Sequence, residues 1–376
     1  MTRFGSLFVA FFFALLATWP SSVPAVSTPE MVEIWPGPTW RTVTPASQGI
    51  DSSAIDLLVR RIRSGQVGAE IHSLLIVRGG HLVIEEYFDG WNAKRLHTLQ
   101  SVSKSVTSAL IGIAVDRGEI ESTDEKVLSF FPGLLSEIRH LDQRKQAMTL
   151  EDLLTMKTGS EFHERGSDSP LHRMNRLQRG WLKFVLDSRM RHEPGTRFHY
   201  DSGGVILLSG VLKATTGLFA DVYADQYLFG PLGIEESRWF KNAEGLPHTG
   251  GGLYLRPRDL ARFGLLYLRR GRWQDRQVVS AEWIDRSLRR QVATVRQQDG
   301  RDVGYGFLWW VWPPPADRPE LGDFYAGHGF MGQYVFVVPS LDLVVVFTGG
   351  SRTWSGEKRP AELVYEYILP ATRPLG

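Results

Sequence analysis

Apolar, β-branched runs lie near both ends of this 376-residue chain and enclose a long middle part. Near the N-terminus, residues 71–77 and 82–88 flank Gly79-Gly80, which predicts a β-hairpin. Three further runs have the composition of successive antiparallel strands: residues 305–310, 333–338 and 341–348. Because strands from both ends must bury their apolar faces, we expect an α+β fold in which they share one antiparallel sheet flanked by helices, with a mostly helical subdomain inserted between them.

Helical patterns fill the middle and the C-terminal end of the chain. The first pattern has a serine as its expected cap, and Thr149-Leu150-Glu151-Asp152 is a capping pattern for another. The predicted helices lie at residues 52–59, 101–118, 149–156, 205–217, 257–268, 282–289 and 360–368.

One apolar helical pattern begins with a hydroxyl and an amine three residues apart, Ser101 and Lys104. Positions i and i+3 of a helix share a face, so both side chains are expected to point the same way at the helix N-terminus. The unpaired N–H groups there can hold an oxyanion. Burial beside them favours a neutral lysine, which a serine nucleophile needs as its neighbour. The alternative is a serine that only caps the helix.

A second group precedes the helical pattern that starts near residue 205. Pro194-Gly195 is a turn, and Tyr200 follows in a loop, from which a side chain can reach into a cleft. A phenol beside a cationic lysine can have a lowered pKa and act as a base. The alternative is a half-buried tyrosine that packs beside Phe198.

Three features together resemble the serine β-lactamase and penicillin-binding protein superfamily: Ser101-x-x-Lys104, Tyr200-x-Ser202, and a Gly-His-Gly before a C-terminal strand. The chain looks most similar to class C β-lactamases and to their esterase and amide-hydrolase relatives. The resemblance extends from about residue 50 to residue 348. It implies a β-lactamase-like serine hydrolase domain over residues 50–376.

The third motif of the family, Lys-Thr-Gly or His-x-Gly on a strand that lines the cleft, has three candidates. Lys157-Thr158-Gly159 ends a helix and His248-Thr249-Gly250 leads into one, so we reject both. The stretch around His328 runs into a strand and places this histidine at the lysine position. Because Phe330 stands where glycine is frequent, another register ends the motif at Gly332-Gln333 and leaves His328 outside it. A separate alternative for His328 is a loop histidine bonded to backbone.

The resemblance implies an acyl-enzyme mechanism. Ser101 would attack a carbonyl carbon, while Lys104 and Tyr200 share the proton transfers and Tyr200 returns the proton to the leaving group. Which of the two is the acylation base stays open, because their pKa values would be coupled. The oxyanion would rest on the Ser101 N–H and on a second N–H near Phe330 or Met331. No metal and no other cofactor is implied.

Ser202 and His328 depart from the residues that are usual in the family. Ser202 stands where asparagine is frequent, and it would hold Lys104 or the substrate unless it only caps the following helix. The departures favour an esterase, or an amide hydrolase similar to 6-aminohexanoate-oligomer hydrolases. The alternatives are a β-lactamase or D-amino-acid peptidase acting on cell-wall peptides, and a non-catalytic penicillin-recognition protein. Five aromatic residues are expected either to wall the cleft or to fill the core: Trp309, Trp310, Trp312, Tyr325 and Phe330.

Charge and the N-terminal residues limit the partners and the location. A net charge of +2 gives no indication of a nucleic-acid partner, and the absence of cysteine excludes disulfides and a thiol nucleophile. A basic start, an apolar run over residues 7–17 and Val23-Pro24-Ala25 are typical of a secretory signal peptide. We expect residues 1–25 to be this signal peptide, residues 26–49 an extended lead-in, and the protein to be exported to the periplasm. An uncleaved N-terminal anchor is the alternative, and it would be the sole membrane contact; the expected partner is a small ester or amide.

Overall fold

The computed structural model describes residues 1–2, 5, 33–298 and 300–374. The chain divides into two units, Met1–Glu33 and Ile34–Gly376, and the second contains the fold. The predicted signal peptide over residues 1–25 lies almost entirely outside the described residues and stays a prediction. The lead-in is described from residue 33 onward, where Trp40 is buried and Thr42 bridges Leu82 of the N-terminal hairpin.

An antiparallel sheet is the centre of Ile34–Gly376. The strands among the described residues are β1 Ile71–Arg78, β2 His81–Tyr87, β3 His97–Thr98, β4 Arg238–Trp239, β5 Leu253–Leu255, β6 Arg272–Trp273, β7 Arg276–Gln277, β8 Val292–Gln298, β9 Arg301–Tyr305, β10 Trp310–Trp312, β11 Phe324–Gly329, β12 Gln333–Val338 and β13 Leu343–Gly349. Eight of them form the main sheet in the order β2-β1-β13-β12-β11-β10-β9-β8. β1 pairs with β13, with Leu75 opposite Val346, so the prediction that strands from both ends share one sheet is confirmed.

Helices cover the sheet and form the inserted subdomain. Those among the described residues are α1 Ser52–Arg63, α2 Val102–Asp116, α3 Gln143–Ala147, α4 Leu150–Leu154, α5 Pro170–Arg176, α6 Trp181–Leu186, α7 Ser202–Thr216, α8 Ala220–Ala224, α9 Gly230–Leu232, α10 Pro257–Leu268, α11 Ala281–Leu288, α12 Trp354–Leu363 and α13 Leu369–Ala371. α2 packs against both α7 and β11. α2 is buried from Val102 to Ala114 because it is apolar nearly all round, as a helix enclosed by other elements must be.

The predicted strand over residues 305–310 is wrong. β9 ends at Tyr305 and β10 begins at Trp310, and the chain turns between them. The turn is held by neighbouring elements: the Leu308 N–H donates to the Leu154 carbonyl at 2.9 Å, and Leu308 takes a left-handed φ of 61°. An apolar run of six residues is therefore split by contacts that lie far away in the sequence.

Helix boundaries also differ from the predictions at both ends of the chain. The cap of α1 is Asp51, whose carboxylate accepts from the Ser53 N–H at 2.9 Å, and not a serine. α12 begins at Trp354, six residues before the predicted start, and it continues into a π-helical turn, Val364–Ile368. The hairpin of β8 and β9 was not predicted at all, because its residues are mostly polar and lack the apolar alternation of a half-buried strand.

No single helix within the described ranges is long and apolar enough to cross a membrane. One pair of consecutive helices, Ser202–Thr216 and Ala220–Leu232, meets the length and composition criteria together, but it is bent by 74°.

Candidate active site

Ser101 and Lys104 meet at the N-terminus of α2, as predicted. Lys104 is 1% exposed, and its Nζ donates to Ser101 Oγ at 2.8 Å and to the Gly250 carbonyl at 2.5 Å. Ser101 occupies the N-cap position, but its hydroxyl accepts no capping hydrogen bond from the helix. The alternative in which this serine only caps the helix is therefore wrong. The hydroxyl is free to react, with a buried amine fixed beside it.

Tyr200 lies next to this pair, in the loop before α7. The centroid of its ring is 4.8 Å from Lys104 Nζ, and the ring stacks on Trp310 with centroids 5.8 Å apart. Tyr200 is half-buried and lines the same cleft as Ser101. The structure thus brings together the three residues that the sequence predicted as catalytic.

A buried carboxylate holds the Tyr200 loop. Asp201 Oδ2 accepts from Thr158 Oγ1 at 2.9 Å and from Ser160 Oγ at 3.1 Å, while Oδ1 accepts from the Gly204 N–H at 3.1 Å. Burial raises the pKa of Asp201, although these three donors oppose the shift. Thr158 belongs to Lys157-Thr158-Gly159, the sequence rejected above as the third motif. This segment anchors the loop that carries Tyr200 and is not part of any strand.

Ser202 is the first residue of α7 and does not cap it. The cap is Asp201, so that alternative for Ser202 is wrong. The Ser202 N–H donates to Glu164 Oε1 at 2.8 Å. Its side chain packs on Gly250, where an added Cβ would lie 3.2 Å from Ser202 Cβ and 3.4 Å from Ser202 Oγ. Ser202 therefore contacts the backbone that holds Lys104 and lines the cleft, and its predicted role in substrate binding stays a prediction.

The strand that carries His328 passes directly along the start of α2. A Cβ added to Gly329 would lie 3.0 Å from the Ser101 nitrogen and 2.4 Å from the Leu99 carbonyl oxygen. Only glycine permits this approach of β11 to the backbone of Ser101. His328 itself pairs with Tyr334 in β12, so it lies on a sheet strand that lines the cleft. The alternative of a loop histidine is wrong.

Phe330 and Met331 form the turn between β11 and β12. Phe330 is 47% exposed and lines the cleft, and Met331 takes a left-handed φ of 66°. Because the turn follows the strand that touches the Ser101 nitrogen, its N–H groups are near the position expected for the second oxyanion donor. That role stays a prediction.

The side chain of His328 joins two charged residues that the sequence did not single out. Arg296 donates to Nδ1 at 3.0 Å, and Nε2 lies 3.2 Å from Glu357 Oε1. Because Nδ1 accepts from Arg296, the proton of the neutral ring sits on Nε2, the nitrogen close to Glu357. Burial, and then the charge of Arg296, lower the pKa of His328 to about 4. Arg296 is itself fixed over the Trp310 ring, with Cζ 4.4 Å from the centroid.

No local signal was available for Arg296 or Glu357. Arg296 lies on β8, in the hairpin that was not predicted, and Glu357 lies in the part of α12 that precedes the predicted helix start. Their relation to His328 exists only because three elements distant in sequence meet at the cleft.

The loop over residues 248–252 belongs to the site, although its His-Thr-Gly was rejected as the third motif. The position of the loop agrees with that rejection. The loop leads into β5 of the small three-stranded sheet and not into the main sheet. The backbone of Gly250 nevertheless accepts from Lys104. Thr249 fixes the loop, with its hydroxyl donating to Val205 O at 2.6 Å and its carbonyl accepting from Thr107 Oγ1 at 3.1 Å. A backbone carbonyl carries no sequence signal.

His248 is buried in the wall of the cleft between Trp181 and Phe240. Neither ring nitrogen has a hydrogen-bond partner among the described residues. Burial, and then the charge of Lys104, lower the pKa of His248 to about 4. The histidine is therefore neutral near pH 7.

The cleft has a volume of about 1690 Å³ and opens over Ser101. Of the five aromatic residues expected in its wall or in the core, Trp310 and Phe330 line it. Trp309 is buried against Phe263, and Trp312 is buried against Phe336. Tyr325 is not among the lining residues either. The cleft also has aromatic lining residues that were not among these five, including Phe162, Tyr200 and Phe240.

Known proteins resemble the chain in sequence and in structure. The 6-aminohexanoate-dimer hydrolase of Paenarthrobacter ureafaciens is 24% identical over 305 residues, which cover 76% of this chain and 75% of that protein. EstCE1, a hydrolase with promiscuous acyltransferase activity, superposes with a TM-score of 0.68 at 16% identity, covering 82% of this chain and 97% of that one.

An octameric penicillin-binding protein homologue from Pyrococcus abyssi has a TM-score of 0.63 at 19% identity, covering 83% of this chain and 77% of that one. These structural likenesses establish the same fold. Residues 61–364 match the Beta-lactamase family. The chain therefore belongs to the beta-lactamase family, within the serine β-lactamase and penicillin-binding protein superfamily of hydrolases.

Proposed function

We propose that this protein is a serine hydrolase that forms an acyl-enzyme on Ser101 and cleaves a small ester or amide. The observation that carries the proposal is the 2.8 Å contact between Lys104 Nζ and Ser101 Oγ, at a buried helix N-terminus that faces an open cleft. Serine needs an adjacent base to become nucleophilic, and this amine is placed to act as one. The family supports hydrolysis in general.

Acylation begins when Ser101 Oγ attacks the substrate carbonyl carbon. Lys104, alone or together with Tyr200, takes the serine proton. The bond from the carbonyl carbon to the leaving oxygen or nitrogen then breaks, and the leaving alcohol or amine receives that proton. Tyr200 is suited to deliver it, because its ring lies beside Lys104 and its loop faces the cleft.

Two backbone N–H groups would stabilise the oxyanion that forms during attack. One belongs to Ser101, and the other to the turn at Phe330 and Met331. The close packing of Gly329 on the Ser101 nitrogen supports this arrangement, because it sets the turn beside the nucleophile. Such preorganised donors contribute roughly a hundredfold or more each to the rate. Water then releases the acyl group by the reverse proton transfers.

Ester and amide substrates both fit this chemistry. A relative named 6-aminohexanoate-dimer hydrolase supports a small substrate, and a fold neighbour described as a hydrolase with promiscuous acyltransferase activity is consistent with an acyl-enzyme. The alternatives are a β-lactamase or D-amino-acid peptidase and a binding protein without turnover. An exported, periplasmic location with a cleaved signal peptide is part of the proposal.

The test compares three substrates: p-nitrophenyl butyrate, the linear dimer of 6-aminohexanoate and a chromogenic cephalosporin. We expect ester or dimer turnover that falls by roughly a thousandfold or more in Ser101→Ala, because the nucleophile is lost. Ser64→Ala, an exposed change at the end of α1, is the matched control and should keep full activity.

A fluorophosphonate should add its mass to Ser101 in the wild type. Fast cephalosporin turnover would instead identify a β-lactamase. If no substrate is turned over and Ser101 stays unlabelled, the binding-protein alternative replaces the proposal.

A further inference from the structure

The cleft carries an excess of positive charge. Among the described residues that line it are eight arginine or lysine side chains and four acidic ones. Five exposed arginines lie on the side formed by residues 160–200, and we call them the arginine rim: Arg165, Arg173, Arg189, Arg191 and Arg197. Within the part of the chain that the structure describes, no acidic side chain forms an ion pair with any of them.

Most of the acidic groups in the cleft are already engaged elsewhere. Glu164 accepts from the Ser202 N–H at 2.8 Å. Asp187 pairs with Lys183 at 2.8 Å, and Glu357 lies 3.2 Å from His328. Two exposed acidic residues stay close in sequence to the arginine rim and form no ion pair among the described residues: Glu161, which lines the cleft, and Glu193, which stands between Arg191 and Arg197. The five arginines therefore outnumber the nearby acidic side chains, and the rim presents guanidinium groups to a substrate that enters the cleft.

Backbone pairing holds part of the arginine rim in place. Residues 160 and 190 form an antiparallel bridge, the Glu161 N–H donates to the Arg189 carbonyl at 2.9 Å, and the Arg191 N–H donates to the Gly159 carbonyl at 2.8 Å. Successive side chains of an extended segment point to opposite faces. Because Met190 is buried, Arg189 and Arg191 both point away from the core.

The positive field of the rim acts on a neighbouring group. The pKa of His192 is lowered, first by loss of hydration and then by the charges of Arg197, Arg191, His199 and Arg144. Two of the charges that contribute to this shift, Arg191 and Arg197, belong to the rim.

The arginine rim is mechanically connected to the catalytic residues. Ser160, next to the bridged segment, donates to Asp201 at 3.1 Å, and Asp201 adjoins Tyr200. A group bound at Arg189 and Arg191 is thereby held at a set position relative to Tyr200. Arginine binds carboxylates and phosphates through paired, charge-assisted hydrogen bonds.

We propose that the arginine rim binds an anionic group of the substrate, so that this enzyme prefers esters or amides carrying a carboxylate or phosphate away from the scissile carbonyl. The inference rests on the proposed function, since it names the substrate class of the same cleft. A neutral substrate forms the same acyl-enzyme but lacks this contact, and it binds more weakly.

The test compares kcat/KM for p-nitrophenyl butyrate with that for the mono-p-nitrophenyl ester of glutaric acid, at low and high salt. We expect the wild type to prefer the glutarate ester about tenfold at low salt, with the preference falling at high salt because exposed charges are screened. Competition by citrate and by inorganic phosphate at equal ionic strength tells which anion the rim prefers.

The double variant Arg189→Gln/Arg191→Gln should remove most of the preference, because KM for the glutarate ester rises much more than KM for the neutral butyrate ester. Arg276→Gln, on an exposed position of β7 outside the cleft, removes a positive charge elsewhere and should keep the preference. Equal wild-type activity on both esters, or an equal loss in Arg276→Gln, overturns this inference alone. No activity on either ester, with Ser101 unlabelled, overturns the proposed function and this inference together.

Discussion

The amine of Lys104 makes two hydrogen bonds to groups of different kinds. Its Nζ donates to a side chain, Ser101 Oγ, and to a main-chain carbonyl, Gly250 O. The second bond fixes where the amine can be, because a buried carbonyl cannot turn aside as a side chain can. The position of Gly250 should therefore matter for proton transfer even though glycine has no side chain to take part.

Gly250→Ala tests this role. The added Cβ would lie 3.1 Å from the Ser202 carbonyl oxygen and 3.2 Å from Ser202 Cβ, so the loop must shift by a few tenths of an ångström. We expect kcat to fall about tenfold with a nearly unchanged free energy of unfolding, because small displacements of catalytic groups are costly. Gly133→Ala, where the added methyl group has nothing within 4 Å, is the control. Unchanged kcat in Gly250→Ala would remove Gly250 from the positioning of Lys104.

Three elements meet at the site: α2 and α7 contribute through their first turns, and β11 contributes through its last residues. α2 brings Ser101 and Lys104, β11 passes across the Ser101 nitrogen, and α7 follows the Tyr200 loop. The start of α7 depends on Asp201, which accepts from one helix N–H and from the hydroxyls of Thr158 and Ser160. This carboxylate links a helix cap to the loop that carries the tyrosine.

Asp201→Ala should destabilise the protein by about 2–4 kcal/mol, since it removes the cap and leaves two hydroxyls without their acceptor. Asp201→Asn keeps one side-chain oxygen as an acceptor, so it should lower the free energy of unfolding by less than Asp201→Ala does. Activity should fall in both variants through misplacement of Tyr200. Urea unfolding and kcat provide the measurements. If the alanine and asparagine variants are equally stable, the hydrogen bonds to Asp201 do not hold this loop.

At the scale of the whole molecule, buried histidines make stability depend on pH. His97, His248 and His328 each have a pKa lowered to about 4, with burial as the largest cause. Between pH 6.5 and pH 4 the unfolded chain protonates these groups while the folded protein does not. The unfolded state then binds more protons, so the free energy of unfolding falls as the pH is lowered through this window. Asp259, whose pKa burial raises to about 6, acts in the opposite direction.

His248→Met isolates one of these contributions. Between pH 7 and pH 5 the free energy of unfolding should fall by about 2 kcal/mol more in the wild type than in the variant. The reason is that the variant has no histidine to titrate at position 248, while Asp259 is the same in both proteins. Urea unfolding at the two pH values gives the difference. The control is His163→Gln at an exposed position. Parallel pH dependence of wild type and His248→Met would contradict a neutral, buried His248.

The sequence alone determined the features that rest on neighbouring residues. The hairpin of β1 and β2, the capping box of α4 and the Ser101-Lys104 pair on α2 depend on short-range periodicity and capping, so local patterns predicted them. The sheet shared by both ends of the chain was also predictable, because apolar strands at either end must bury their faces together.

Only the tertiary structure decided the features that depend on contacts between distant segments. The Gly250 carbonyl on Lys104, the Arg296 and Glu357 contacts of His328, and the turn that separates Tyr305 from Trp310 all join residues far apart in sequence. Periodicity reports which face of an element is apolar, but not which backbone carbonyl or charged side chain packing brings to that face. The pairing of Ser101 with Lys104 was therefore predictable from the sequence, while the surroundings of this pair were not.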